Sequence, residues 1–259
     1  METMISFILC MALILGVSMV CMFLPLTMRR KDDQIHLMIA FSAGVFLGIL
    51  MLILLPEAIH ESEHGGYDLM TVMYAILIGF LLTFFIDFLF KHFKKAECDC
   101  EECKDFHSHT VTSLSAFVGL SIHACFDGLA LATAFIIGEE IGIAILIAIC
   151  IHKAAEVFSL SSTFMLSNNR KKTKLYMTLF CLMTPIAGLL SYLLLEGVET
   201  EFAGIAFAFS AGIFMFVTML DVIPEAFHRK SLGPKSVVLF MVGLAVILIT
   251  VILMGGHGH

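Results

Sequence analysis

Eight stretches of about twenty mostly apolar residues, separated by short polar breaks, constrain this chain more than any other feature. Each is long enough to cross roughly 30 Å of hydrocarbon as a helix. Lipid offers a backbone no water to bond, so such runs must close their hydrogen bonds internally, as helices do segment by segment. The chain is therefore expected to be an all-α integral membrane protein, one transmembrane domain over residues 1–259, with spans near 5–27, 35–59, 69–90, 110–137, 141–166, 175–196, 203–227 and 236–254. With 59% hydrophobic and 14% charged residues and no Trp, it lies outside the globular range.

Cationic side chains orient the spans, because Lys and Arg in short loops collect on the cytoplasmic side. Fourteen of the 15 fall after spans one, three, five and seven; the other, Lys153, lies inside span five. The opposite loops carry Glu61, Glu63, Asp68, Glu139, Glu140, Glu199 and Glu201, an acidic face that attracts cations. This places both termini on the non-cytoplasmic side. A net charge of -7 excludes nucleic acid as a partner, and the eight cysteines show no paired pattern in the outer loops that would make a disulfide framework.

Two motifs carry the chemistry. His123-Ala-Cys-Phe-Asp127 and His152-Lys-Ala-Ala-Glu156 each set an imidazole four residues before a carboxylate, on one helix face. The break at Gly138-Glu139-Glu140 is short enough to make spans four and five an antiparallel hairpin. Asp127 lies 12 residues before Glu139 and His152 lies 13 after it, so the two sit level, about 18–20 Å from the turn. His123 and Glu156 pair one turn deeper. Ionisable groups at such depth persist mainly where they serve transport. A nitrogen and oxygen donor set suits zinc or another first-row divalent ion, which makes the chain a metal carrier with no catalytic cofactor. Lys153 needs a carboxylate partner, Glu156 or Asp127.

Residues 40–60 align with 208–228 at a constant offset of 168, with twelve of 21 positions identical. Span two runs outward and span seven inward, so the two form an inverted pair of the kind secondary transporters use. Glu57 and His60 then mark the outer mouth, Glu225 and His228 the inner one. Asp221 in span seven has Ile53 as its repeat counterpart and is a further pathway candidate. In the cytoplasmic loop of residues 91–109, Cys98, Cys100, Cys103, His107 and His109 are dense enough to capture zinc. His60-Glu61-Ser62-Glu63-His64 also spells His-Glu-x-x-His, the zinc-protease signature, which keeps an intramembrane metalloprotease as an alternative. A cation-diffusion type exporter is a second alternative.

Taken together, the His-x-x-x-Asp-Gly run at His123–Gly128, the His-Lys-x-x-Glu run at His152–Glu156, the two Pro-Glu-Ala turns and the eight spans resemble the ZIP family over essentially the whole chain. The resemblance implies transport of zinc, or iron, manganese or cadmium, into the cytoplasm. It further implies a path lined by spans two, four, five and seven, a homodimer, and residence in the plasma membrane or an endomembrane. Some members hold two metals, using Asn after the fourth-span His and Asp after the fifth-span ligand. Ala124 and Lys153 stand there, so one central ion is expected.

Overall fold

The computed structural model describes residues 2–27, 32–93, 101–167, 170–195 and 202–255, and no strand occurs among them. Eight helices are long and apolar enough to span a bilayer: Thr3–Thr27, Asp33–Glu63, Leu69–Phe93, Leu114–Ile137, Glu139–Leu166, Arg170–Leu195, Ala203–Phe227 and Gly233–Leu253. They are spans one to eight below. Their apolar cores lie where the hydropathy puts them, but two helices run further. The helix of span four begins at Glu101, and that of span six at Arg170 instead of near 175. Apolarity marks what lipid covers, whereas a helix continues until something breaks it, and no Gly or Pro occurs between Glu101 and Val118.

The hairpin of spans four and five closes on a single residue. Helix Glu101–Ile137 ends, Gly138 intervenes, and helix Glu139–Ser167 begins. The Gly138 amide donates to Ala134 O at 2.9 Å and the Gly142 amide donates to Gly138 O at 3.0 Å, so the turn consumes its own polar groups. At the start of span three Asp68 accepts from the amide and the hydroxyl of Thr71, which holds its exposed carboxyl below the usual carboxylate range.

Small residues set the remaining contacts, as they do where helices must meet without a hydrophobic drive. A Cβ on Gly44 would lie 1.9 Å from Phe240 O in span eight, and one on Gly243 2.1 Å from Phe41 O in span two. The same exchange recurs between spans seven and three, where Gly212 would meet Ile76 O at 1.9 Å and Gly79 would meet Phe209 O at 2.0 Å. Phe41 and Phe209, like Gly44 and Gly212, are repeat equivalents. Span one packs on span five, and span six on span four. The shares of buried residues in spans two, four, five and seven are 61, 56, 39 and 56%, against 28% for spans one, three and six and 17% for span eight. The four with most inward surface are the four expected to line a path.

Both copies of the repeat break helical regularity at the same place. Leu50–Leu54 and Val217–Val222 are π-helical, and in each case the bond that closes the wide turn, Leu55 N–H to Leu50 O or Ile223 N–H to Thr218 O, maps onto the other at the offset of 168. The cause follows at once in sequence. Pro56 and Pro224 lack an amide hydrogen and crowd the carbonyl four residues back, and a five-residue turn relieves both defects without ending the helix.

Candidate metal centre

His123 and Asp127 project from span four, His152 and Glu156 from span five, and the one-residue turn at Gly138 holds the two helices in register. Each of the four is 0 or 1% exposed. One ligand atom from each lies within 4.8 Å of all the others. The level pairs found are those that counting from the turn gives: His152 Nε2 is 3.4 Å from Asp127 Oδ1, and His123 Nε2 is 3.1 Å from Glu156 Oε1. His123 Nε2 also lies 3.4 Å from Asp127 Oδ1 on its own helix.

The tautomer of His123 follows from its other nitrogen. Nδ1 is 3.2 Å from Ser210 O and 2.6 Å from Ser210 Oγ in span seven. A backbone carbonyl only accepts, so Nδ1 carries a hydrogen, and in the neutral form that binds a metal the ring offers its Nε2 lone pair on the side of the two carboxylates. Nε2 of both imidazoles, Asp127 Oδ1 and Glu156 Oε1 make no hydrogen bond among the described residues. Four buried polar atoms left unsatisfied at such range are costly, and a cation among them would satisfy all four. A tetrahedral zinc with bonds of about 2.0–2.1 Å spaces its donors by about 3.3–3.4 Å, which three of the six separations approach, the others lying within 4.8 Å.

Lys153 binds the outer edge of this cluster. Its Nζ lies 2.7 Å from Asp127 Oδ2 and 2.5 Å from Glu156 Oε2, so both carboxylates anticipated as partners are used. The ammonium is 1% exposed and sits 5.3 Å from the centre of the Phe180 ring. With neutral imidazoles the five side chains sum to one negative charge, which a divalent ion would turn to one positive.

The remaining candidates scatter along the spans. Glu57 lines a cavity of about 200 Å³ together with Glu61, Thr133, Ala130, Phe207 and Ile145, close above the central four. His60 is not part of that lining; its side chain is 65% exposed and faces Glu61 at 3.9 Å. The outer polar pair of this cavity is thus Glu57 and Glu61, one turn apart, whereas the repeat alone singles out Glu57 and His60. Asp221 is buried and accepts from Ser115 Oγ at 3.4 Å. Glu225 is buried, with its Oε1 3.8 Å from Nε2 of His36 in span two, while His228 is exposed.

Cys98 and Cys100 lie outside the described residues, as do the side chains of Cys103, His107 and His109; the backbone of the last three belongs to the helix from Glu101, not to a loop. Two polar residues escaped the sequence reading. Ser210 stands in a Phe-Ser-Ala-Gly run shared with residues 41–44. That run signals the repeat but not a bond to His123. His36 is a lone imidazole at the start of an apolar run, and nothing nearby in sequence points to Glu225.

The ZIP Zinc transporter family model matches residues 4–115 and 95–256. Zinc transporter ZIP9-B of Xenopus laevis is 24% identical over 284 residues, covering 91% of this chain and 92% of that protein. Zinc transporter ZIP9 of Micropogonias undulatus is 24% identical over 294 residues, 91% of this chain and 93% of its own. Zinc transporter ZIP1 of Danio rerio is 29% identical over 148 residues, 55% of this chain and 48% of its own.

Proposed function

This chain belongs to the ZIP zinc transporter family, and on that premise we propose that it carries zinc into the cytoplasm by alternating access to the His123, Asp127, His152 and Glu156 site. Members of the family are transporters and not enzymes, which removes the metalloprotease alternative at His60 to His64. The observation that carries the proposal is the set of four buried, mutually facing donor atoms within 4.8 Å.

In the proposed cycle the acidic outer face concentrates cations, and Glu57 and Glu61 draw them into the 200 Å³ cavity. The ion sheds water as the two imidazoles and two carboxylates replace it. Release follows past Asp221, Glu225 and His228. Rocking of the inverted pair, spans two and seven, against the hairpin opens the site to each side in turn. Lys153 occupies the place where two-metal members hold a second ion, which favours one ion per cycle and tempers its affinity so that it leaves. A divalent ion moving inward across an inside-negative 100 mV gains about 4.6 kcal/mol, twice the single-charge value. Iron, manganese and cadmium fit the same donors. The Cys98 to His109 segment would receive zinc on the cytoplasmic side, and the exposed apolar faces of spans three and eight suit lipid or a second copy in a homodimer.

The test is uptake of radioactive zinc into vesicles carrying the native chain, His123→Ala or His152→Ala. The native chain should accumulate zinc and both variants should fall to the protein-free background. Equal uptake by all three refutes the site, and loss of zinc from loaded vesicles with no uptake refutes the direction and favours an exporter.

A further inference from the structure

One helical turn from the central four, on the side away from Gly138, spans four, five and seven enclose a second, much smaller cavity of about 10 Å³. Its lining includes Ala116 and Leu120 of span four, Ser159 and Thr163 of span five, and Asp221 of span seven. Ser159 and Thr163 continue the face of span five that carries His152 and Glu156, since positions 152, 156, 159 and 163 fall on one helical stripe. The stripe thus runs from the nitrogen and oxygen site to a small, mostly apolar cavity whose polar side chains, Ser159, Thr163 and Asp221, offer oxygen alone.

The side chains there are short of partners. Ser159 is 1% exposed, and its Oγ has no hydrogen bond among the described residues. A buried hydroxyl left in that condition costs about 1–3 kcal/mol, which a guest in the cavity would recover. Thr163 donates its hydroxyl hydrogen to Ser159 O at 3.1 Å and keeps its own lone pairs to offer. The Asp221 carboxylate is 2% exposed, and the bond it accepts from Ser115 is long. Asp221 also belongs to the π-helical segment Val217–Val222, a wide turn of the type that re-aims side chains at functional positions. The matching π segment in span two carries Ile53 at the equivalent position, so only one of the two halves has this acid.

We propose that Asp221, Ser159 and Thr163 form a transient all-oxygen station for a divalent cation, the first stop after the central site. The inference rests on the transport reading above and adds the residues that take the ion next. An all-oxygen set holds zinc less tightly than one with two imidazoles. A weaker station directly beyond a stronger one, with a single carboxylate, lets an ion step down without being trapped.

The experiment uses the purified full chain in lipid nanodiscs with Cys98→Ser, Cys100→Ser and Cys103→Ser, so that loop thiols do not compete. Zinc is titrated first, and the tight first equivalent reports the central site. Ser159→Ala should keep that first equivalent and weaken the second by about tenfold; an unchanged second equivalent overturns the proposal. Ser159→Cys should, with cadmium as probe, give a cadmium–thiolate charge-transfer band absent from the parent and lost again when Asp221→Asn is added. No new band in a Ser159→Cys protein that retains its first zinc equivalent also overturns the proposal. Should Ser159→Cys fail to retain that equivalent, the Ser159→Ala titration decides. A first equivalent that survives His123→Ala would instead refute the central site, whatever cadmium does at position 159.

Discussion

Ser210 reaches across from span seven to hold the Nδ1 edge of His123, and a partner of this kind orients a metal ligand and raises its basicity. Ser210→Ala removes the 2.6 Å contact and leaves the carbonyl at 3.2 Å. Zinc affinity should therefore fall by about tenfold while the tautomer is kept. Zinc titration checks the first outcome and nitrogen-detected imidazole spectra the second. Lys153→Ala should act in the opposite circumstance, without metal. It strips two fully buried carboxylates of their cation, a change that costs about 3–5 kcal/mol when one partner of a buried pair is lost. The metal-free variant should melt far below the native chain, and zinc should restore more of its stability than it adds to the native chain. That His123, Asp127, His152 and Glu156 come together was legible because two identical spacings in two adjacent apolar runs admit one alignment. Ser210 and His36 were not, since a single polar residue in an apolar run has many possible partners and only the packed fold selects one.

Helix contacts in this protein depend on glycines meeting backbone oxygens, which makes them intolerant of a single methyl group. Gly44→Ala and Gly212→Ala would each place a Cβ 1.9 Å from a carbonyl oxygen in the neighbouring span, so the helices must separate and thermal stability in detergent should drop sharply. Gly16→Ala is the control. Nothing lies within 4 Å of a Cβ there, and it should be neutral or slightly stabilising through helix propensity. Span order and apolar limits followed from hydropathy. The extension of span four's helix back to Glu101 did not, because polar residues without a breaker satisfy a helix as readily as a loop. Pro56 and Pro224 stand in the sequence only as parts of Pro-Glu-Ala turns, whereas in the fold each follows a π segment and the helix continues through it.

Across the whole molecule the 168-residue offset relates more than sequence. It maps one π segment on the other, and Phe41 and Gly44, the span-two side of the glycine contacts with span eight, on Phe209 and Gly212, the span-seven side of those with span three. The central four donors come from spans four and five and stand outside the aligned segments, to which Ser210 and the flanking acids Glu57, Asp221 and Glu225 belong. Function then turns on whether those donors hold one divalent ion. Zinc-edge absorption fine structure of the purified chain loaded with one equivalent of zinc tests this most directly. A site of two imidazoles and two carboxylates should give a shell of nitrogen and oxygen at about 2.0–2.1 Å with the outer-shell signature of two imidazoles, both reduced in His123→Ala. A sulfur shell at about 2.3 Å, or a spectrum unchanged by His123→Ala, would contradict it.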